Sequence, residues 1–203
     1  MRKIIIEHLE DEFAPWILLE YRHSSLIAGR DMILFTNIPD RYHRILERYG
    51  TVSSESIVNL LSSGIIKGED LVVLDPKAQR RLEREDLYGK YVVIGGILGD
   101  HPPRGRTWEL LTRKLLDYGV ITRNIGEGQY SIDGAVYYVV ELWRNKLDGF
   151  RFVDGVDIET PHGKIHLPFR YPVVNGKPLL APGLVEYLVH GRIPREILEE
   201  IGL

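Results

Sequence analysis

The sequence predicts an α/β fold, a mostly parallel sheet with helices on both faces followed by a small carboxyl-terminal hairpin and helix extension. Three observations predict it. Short apolar, β-branched runs alternate with stretches of helical period, and strands that alternate with helices pair in parallel. Several of the runs stop abruptly at a glycine or a proline. Beyond Gly149 the alternation gives way to extended segments joined by turn dipeptides.

The first run, Lys3 to His8, reads as a buried strand that ends in polar residues. A helix from about Ala14 to Arg30 follows, with Trp16, Leu19 and Ile27 at helical spacing, Pro15 suited to its first turn and Gly29 to its end. Met32 to Thr36 reads as a strand, Asp40 to Tyr49 as a helix closed by Gly50, and Ser54 to Leu61 as a second helix with a serine-rich start. Further strands are expected at Leu71 to Leu74, Tyr91 to Ile94 and Val120 to Arg123. One helix, about Thr107 to Tyr118, separates the last two, and another runs from about Ile132 to Asn145. Asp157 to Leu167 has the pattern of a hairpin around His162-Gly163, Asn175-Gly176 is a turn, and short helices near Leu184 and Ile197 close the chain. With no internal repeat, we expect a core over residues 1–150 and an extension over 151–203 packed on it.

A chain of 203 residues supports one principal hydrophobic core. Hydrophobic residues at 44% and charged residues at 27% are ordinary for a domain that folds without a partner. The absence of cysteine excludes disulfides, thiolate nucleophiles and cysteine-ligated zinc or iron-sulfur sites. Arg2 and Lys3 precede an apolar run, Ile4 to Ile6, too short for a signal peptide, and no stretch approaches the ~20 apolar residues of a membrane span. The expectation is a cytoplasmic protein that does not engage a membrane. The balance of 26 basic and 29 acidic residues, net −3, differs from that of domains that grip nucleic acid.

In open α/β sheets ligands bind beyond the carboxyl ends of the strands. Three such ends carry unusual residues: Leu74 to Ala78, Gly95 to Arg106, and Arg123 to Ser131. Glycines placed there let the backbone approach a ligand, and free amides can pair with the edge of a purine, so adenine is a fitting guest. Neither familiar phosphate motif is present. Gly99 to Gly105 lacks the Lys-Ser or Lys-Thr pair of a P-loop, and Gly126 to Ser131 is one residue short of the dinucleotide fingerprint and late in the sheet.

The strings LDPKA, VVIGGILGDHPPRGRT, RNIGEGQYSIDGA and PFRY, with IIIEH at residues 4 to 8, resemble a family of SPOUT-class methyltransferases whose fungal members modify an arginine of a small-subunit ribosomal protein. The resemblance runs to about Pro182. A wider one, over Leu71 to Asn145, extends to the SPOUT tRNA purine methyltransferases. It implies a SPOUT core with a trefoil knot in the carboxyl half of the sheet and S-adenosylmethionine bound bent in the knotted loops. The donor-binding residues it implies are Leu74, Asp75, Pro76, Gly95, Gly96, Leu98, Gly99, Asp100, His101, Asn124, Ile125, Gly126, Gln129, Tyr130, Ser131 and Ala135. A side chain at Gly96 or Gly126 is expected to take the donor's place.

Methyl transfer is an in-line displacement at an activated carbon, so the protein has to align the acceptor and receive its proton. Glu7, at the end of the first strand, and Asp100 are the carboxylates expected to do this. Arg104 and Arg106 are candidates for the donor's carboxylate or an acidic partner. Phe169, Arg170 and Tyr171 form either a wall of the acceptor pocket or a packed hairpin with its arginine reaching solvent. Asp133 fits a helix cap. His162 and His166 stand four apart, but Gly163 and the strand-like context argue against a metal, and none is expected.

The expected acceptor is an arginine in a basic segment of a ribosomal protein. A guanidinium stays protonated in water, so its methylation calls for carboxylates, and Glu7, Glu10, Asp11 and Glu12 cluster after the first strand. An RNA base is the alternative, since Arg80, Arg81, Arg84, Arg104 and Arg106 are able to form a local basic patch. A non-catalytic donor sensor or ribosome-assembly module is the reading of another class. The resemblance favours a monomer over a homodimer.

Overall fold

In the computed structural model the described residues are 1–99, 102, 104–147, 150–161 and 163–202. Six parallel strands make the main sheet: β1 (Ile4–His8), β2 (Ile33–Thr36), β3 (Thr51–Val52), β4 (Leu71–Leu74), β5 (Tyr91–Gly96) and β6 (Ile121–Arg123), in the order β3-β2-β1-β5-β4-β6. The central strands are apolar at successive positions because both faces are covered. Ile4 and Ile6 of β1, Val92 and Ile94 of β5, and Val72 and Leu74 of β4 share one core with helices α1 (Pro15–Ala28) and α5 (Ile132–Trp143). Ile5, Val73 and Val93, the residues between them, join the opposite core with α3 (Ile57–Ser62) and the helical segment 108–118.

Most expected elements form, and the departures have local causes. In place of one helix over Asp40 to Tyr49 there is a 3-10 turn, Asp40–Tyr42, and a single α turn, α2 (His43–Leu46). The chain then turns at Gly50, which packs against the Ile33 carbonyl, to form the short edge strand β3. The segment 108–118 is likewise not one regular helix. It opens with a π turn, Trp108–Thr112, continues as α4 (Arg113–Leu115) and ends as a 3-10 turn, Leu116–Tyr118.

After the core come β7 (Phe152–Thr160), β8 (Gly163–Val174) and β9 (Lys177–Pro178), an antiparallel sheet longer than the expected hairpin. A bulge at Gly155, with φ of 78°, shifts the register between Asp154 and Val156. Helices α6 (Leu184–His190) and α7 (Arg195–Ile201) close the chain, and α6 packs on α1 through Leu184 and Leu19. The sheet of β7 to β9 is joined to the core by main chain: the Arg170 amide donates to the Gln129 carbonyl at 2.7 Å, and Tyr130 pairs with Arg170 in parallel.

Gly96 ends β5 beside β1, where a Cβ would overlap the Tyr21 hydroxyl and crowd the Glu7 carbonyl. That hydroxyl bonds His8 Nδ1 at 3.1 Å inside the core. Gly96→Ala should therefore lower stability by about 1–3 kcal/mol, as other overpacked core positions do. Tyr21→Phe should recover part of this loss in the Gly96→Ala background while destabilising the parent protein, in which His8 loses its partner. Urea denaturation midpoints of the four proteins check the non-additivity.

Candidate active site

Strands β5, β4 and β6 are neighbours, so the loops that leave their carboxyl ends meet, and they enclose a cavity of about 400 Å³. The first loop is fixed by Asp75, which is buried: Oδ1 accepts the Lys77 amide at 2.7 Å and Oδ2 accepts the Thr112 hydroxyl at 2.5 Å. This ties the loop to the π turn opposite it. The third loop is fixed by Asn124, whose Nδ2 donates to the Ala78 carbonyl at 2.7 Å and whose Oδ1 accepts the Gly126 amide at 3.1 Å. Gly126 has φ of 105°, a conformation that favours glycine. Tyr130 bends back to donate to the Ile125 carbonyl at 3.0 Å, and Ser131 caps α5 by accepting the Gly134 amide at 3.2 Å.

Of the residues expected to hold the donor, Leu74, Asp75, Pro76, Gly95, Gly99, Ile125, Gly126, Gln129, Tyr130, Ser131 and Ala135 line this cavity. Gly96, Leu98 and Asn124 do not. Gly96 is small to admit Tyr21, Leu98 faces a second cavity, and Asn124 spends its side chain joining the first and third loops. Asp100 and His101 lie outside the described residues. Lys77, Ile97, Thr107, Trp108 and Ile132 line the cavity without having been expected, and Lys77 Nζ lies 6.0 Å from the Trp108 ring centre. Lys77 and Ile97 belong to the first and second loops, Thr107, Trp108 and Ile132 border the second and third, and Trp108, an aromatic residue two positions past the second loop, was the available signal.

The structure moves Glu7 out of the catalytic role expected for it. Its carboxyl is buried beneath α3, accepts the Thr36 hydroxyl at 2.5 Å and the Ile57 amide at 2.9 Å, and is not part of the cavity wall. The strand alternation that sends Ile5 into the second core sends Glu7 to the same face, where it closes the amino end of α3. Burial pushes its pKa from 4.5 up to about 7, against the opposing pull of these two hydrogen bonds and of Lys114.

Arg104 is exposed at the mouth of the cavity, and Arg106 is committed elsewhere. Its guanidinium grips Glu10 with two bonds, 3.0 Å to Oε1 and 2.8 Å to Oε2, while Glu10 Oε1 also accepts the Leu98 amide at 2.9 Å. The clamp holds the second loop against the segment between β1 and α1. Phe169 and Tyr171 are buried, and Arg170 pairs with Asp154 and bonds the Glu127 carbonyl, so the packed-hairpin alternative describes them. Phe169 sits behind the cavity wall, where a Cβ at Gly99 would overlap it and the Gln129 side chain. Asp133 pairs with His23 at 2.6 Å and accepts the Gly134 amide beside the Ser131 cap. Among the described residues no group of three or more metal-binding side chains is assembled; His166 pairs with Asp157, and His162 lies outside the described residues.

A second cavity of about 390 Å³ adjoins the first and shares Gly99 and Arg106 with it. Glu10, Asp11, Glu12, Ala14, Ile17 and Leu98 complete its lining, which makes it acidic. Behind both stands a buried group that sequence reasoning missed. Glu20 accepts the Trp16 indole N–H at 2.7 Å and the Ile132 amide at 2.9 Å. Burial and neighbouring Asp133 raise its pKa from 4.5 to about 8. The four-residue step from Trp16 to Glu20 on one helix was its only trace in the sequence.

Fold and site together define a methyltransferase of the SPOUT class. The same fold occurs in the dual specific Trm10 of Thermococcus kodakaraensis, 18% identical, with a TM-score of 0.54 over 69% of this chain and 90% of that one. More specifically, residues 3–193 match the family described as protein arginine N-methyltransferase SFM1-like, and the chain belongs to that family. Protein arginine N-methyltransferase SFM1 of Saccharomyces cerevisiae is 31% identical, over 92% of this chain and 93% of the yeast protein. The structure of the yeast enzyme complexed with SAH has a TM-score of 0.80 and 28% identity, covering 92% and 94% of the two chains. Its complex with SAM also has a TM-score of 0.80, at 27% identity over 93% and 90%. Among the described residues no helix is long and apolar enough to cross a membrane.

The two buried glutamates fix the sign of a stability change with pH. In the unfolded chain both ionise near 4.5, whereas in the folded protein Glu7 keeps its proton to about 7 and Glu20 to about 8. The folded state then binds more protons, so unfolding free energy falls as pH rises through these values. Between pH 6.5 and pH 9 the loss should be about 3 kcal/mol. Burial lowers the His8 pKa, which gives a change of opposite sign around and below its ordinary 6.5. Urea unfolding at the two pH values checks this, and Glu20→Gln should remove most of the difference, with Glu7→Gln removing less.

Proposed function

We propose that the larger cavity binds S-adenosylmethionine and that the protein transfers its methyl group to an arginine side chain in a basic segment of a ribosomal protein. The observation that carries this reading is the pair of adjoining cavities, one apolar and closed by loops, the other acidic, with Gly99 and Arg106 in the shared wall. A volume of about 400 Å³ suits a small-molecule site. Leu74, Ile94, Ile125 and Ala135 offer flat apolar walls to an adenine ring, and glycines 95 and 126 let backbone amides come close to it. When bound, the sulfonium donor supplies an activated methyl carbon and leaves as the neutral thioether.

Glu10, Asp11 and Glu12 face the route by which a guanidinium would reach that carbon. Their charges favour a cationic side chain and disfavour a phosphate backbone. In the step itself a guanidinium nitrogen forms the new N–C bond as the S–C bond breaks, and the nitrogen gives up one proton. The methylated guanidinium keeps its positive charge. A carboxylate receives the proton, and Asp100, which follows Gly99 in the chain, and Glu10 to Glu12 are the groups proposed for this. The ribosomal source of the acceptor rests on the family resemblance alone.

Two measurements test the reading. Calorimetry should find about one donor bound per chain without added metal. Gly126→Val should weaken that binding by more than about tenfold while unfolding stays cooperative, because a branched side chain is strained at φ of 105° and fills the wall. Labelled donor incubated with undermethylated ribosomes should mark arginine in a ribosomal protein, and combined Asp11→Asn and Glu12→Gln should raise the acceptor KM several-fold with donor affinity unchanged. Label found only in nuclease-sensitive material would replace the arginine acceptor with RNA, and absence of donor turnover would leave a binding protein.

A further inference from the structure

Glu20 lies in the middle of α1, 1% exposed, and among the described residues it forms no ion pair. The titratable groups around it are acids, tyrosines and a histidine already engaged: Asp133, paired with His23, and Tyr21 and Tyr171. Among the described residues the Tyr171 hydroxyl is itself buried without a hydrogen-bond partner. Placing a carboxyl in such surroundings is costly, and apolar residues at such positions are commonly as stable or more so. Stability alone therefore gives no account of this residue.

Its two bonds point to another account. Oε2 holds the amide of Ile132, the first residue of α5, and Ser131, Ile132 and Ala135 form one wall of the donor cavity. Oε1 holds the indole of Trp16, whose ring meets the edge of Phe169 with centroids 6.1 Å apart. Phe169 in turn backs Gly99 and Gln129, where the two cavities meet. A single carboxyl thus spans the donor wall on one side and the support of the acceptor wall on the other.

We propose that Glu20 is a positioning residue for methyl transfer, which keeps the Ile132 end of α5 and the Trp16–Phe169 support in fixed relation so that donor and acceptor meet in line. This rests on the donor reading given above. Glu7 supplies an internal comparison, because it holds the first amide of α3 in the same way but lines neither cavity.

The test uses the full chain and three variants. Glu20→Gln has one carbonyl oxygen for two N–H donors and turns its amide group toward the other. At pH 9, where Glu20 is ionised in the parent, it should raise the donor Kd on the order of tenfold, the effect expected for losing a charge-assisted bond, and lower kcat. The gap from the parent protein should widen from pH 7 to pH 9, as Glu20 ionises in the parent alone. Trp16→Phe removes the N–H and leaves a smaller aromatic ring beside Phe169; it should raise the acceptor KM or lower kcat with donor Kd near that of the parent. Glu7→Gln should leave the donor Kd unchanged. The proposal is overturned if Glu20→Gln folds with parental donor Kd and kcat, or if Glu7→Gln weakens donor binding equally, which would mark general loosening. Should Glu20→Gln fail to fold, Trp16→Phe decides, and parental acceptor kinetics overturn the proposal. Donor binding by the parent protein, measured first, tests the underlying reading separately.

Discussion

The site exists because β4 lies between β5 and β6 with all three strands parallel. Parallel pairing brings the carboxyl ends of the three strands side by side, so three loops far apart in sequence have to share one space. Asp75 and Asn124 then convert that crowding into a defined wall. One anchors the first loop to the π turn, and the other anchors it to the third loop. An antiparallel β4 would send its loop to the other edge of the sheet, and no choice of glycines elsewhere would restore the cavity.

The strands and the three loops were legible in the sequence because they obey local rules. Runs such as Ile4 to Ile6 and Leu71 to Leu74 are apolar at every position, which only strands covered on both faces tolerate, and glycine or proline marks where they stop. Helix interiors with competing demands were harder. Asp40 to Tyr49 has helical spacing, yet the chain must turn at Gly50 to bring β3 beside β2, and that tertiary requirement shortens the helix to two brief turns. The site was legible as loops and less so as side-chain roles. A sequence shows that Glu7 ends a strand, but the face it takes depends on the register beneath α3. Gly96 illustrates the same limit, since its smallness answers to Tyr21, a neighbour in space that no local pattern announces.

The carboxylates divide into two sets according to what surrounds them. Glu7 and Glu20 are buried, raised in pKa, and turned toward the first amides of α3 and α5, where the helix dipole and an unpaired N–H favour an acceptor. Glu10, Asp11 and Glu12 belong to the second cavity, with Asp11 and Glu12 open to solvent. The first set holds the starts of two helices, and the second lines the surface of the second cavity.

That division bears on how a net charge of only −3 is compatible with the cationic acceptor proposed above. Glu10 is held by Arg106, so its charge is largely balanced, and the local excess at the second cavity comes from Asp11 and Glu12. Of the arginines that suggested a nucleic-acid surface, Arg106 pairs with Glu10, Arg81 and Arg84 are engaged with aromatic neighbours, and Arg80 and Arg104 are exposed. Arg81 donates to the Tyr138 hydroxyl at 3.2 Å, and Arg84 donates to the Trp143 carbonyl at 3.1 Å with its guanidinium near the Trp143 and Tyr88 rings. Arginines engaged in this way retain their charge but lose the freedom to form a bidentate grip on phosphate. The sign of the field at the second cavity is therefore decided by which charges are left unbalanced there, and those are acidic.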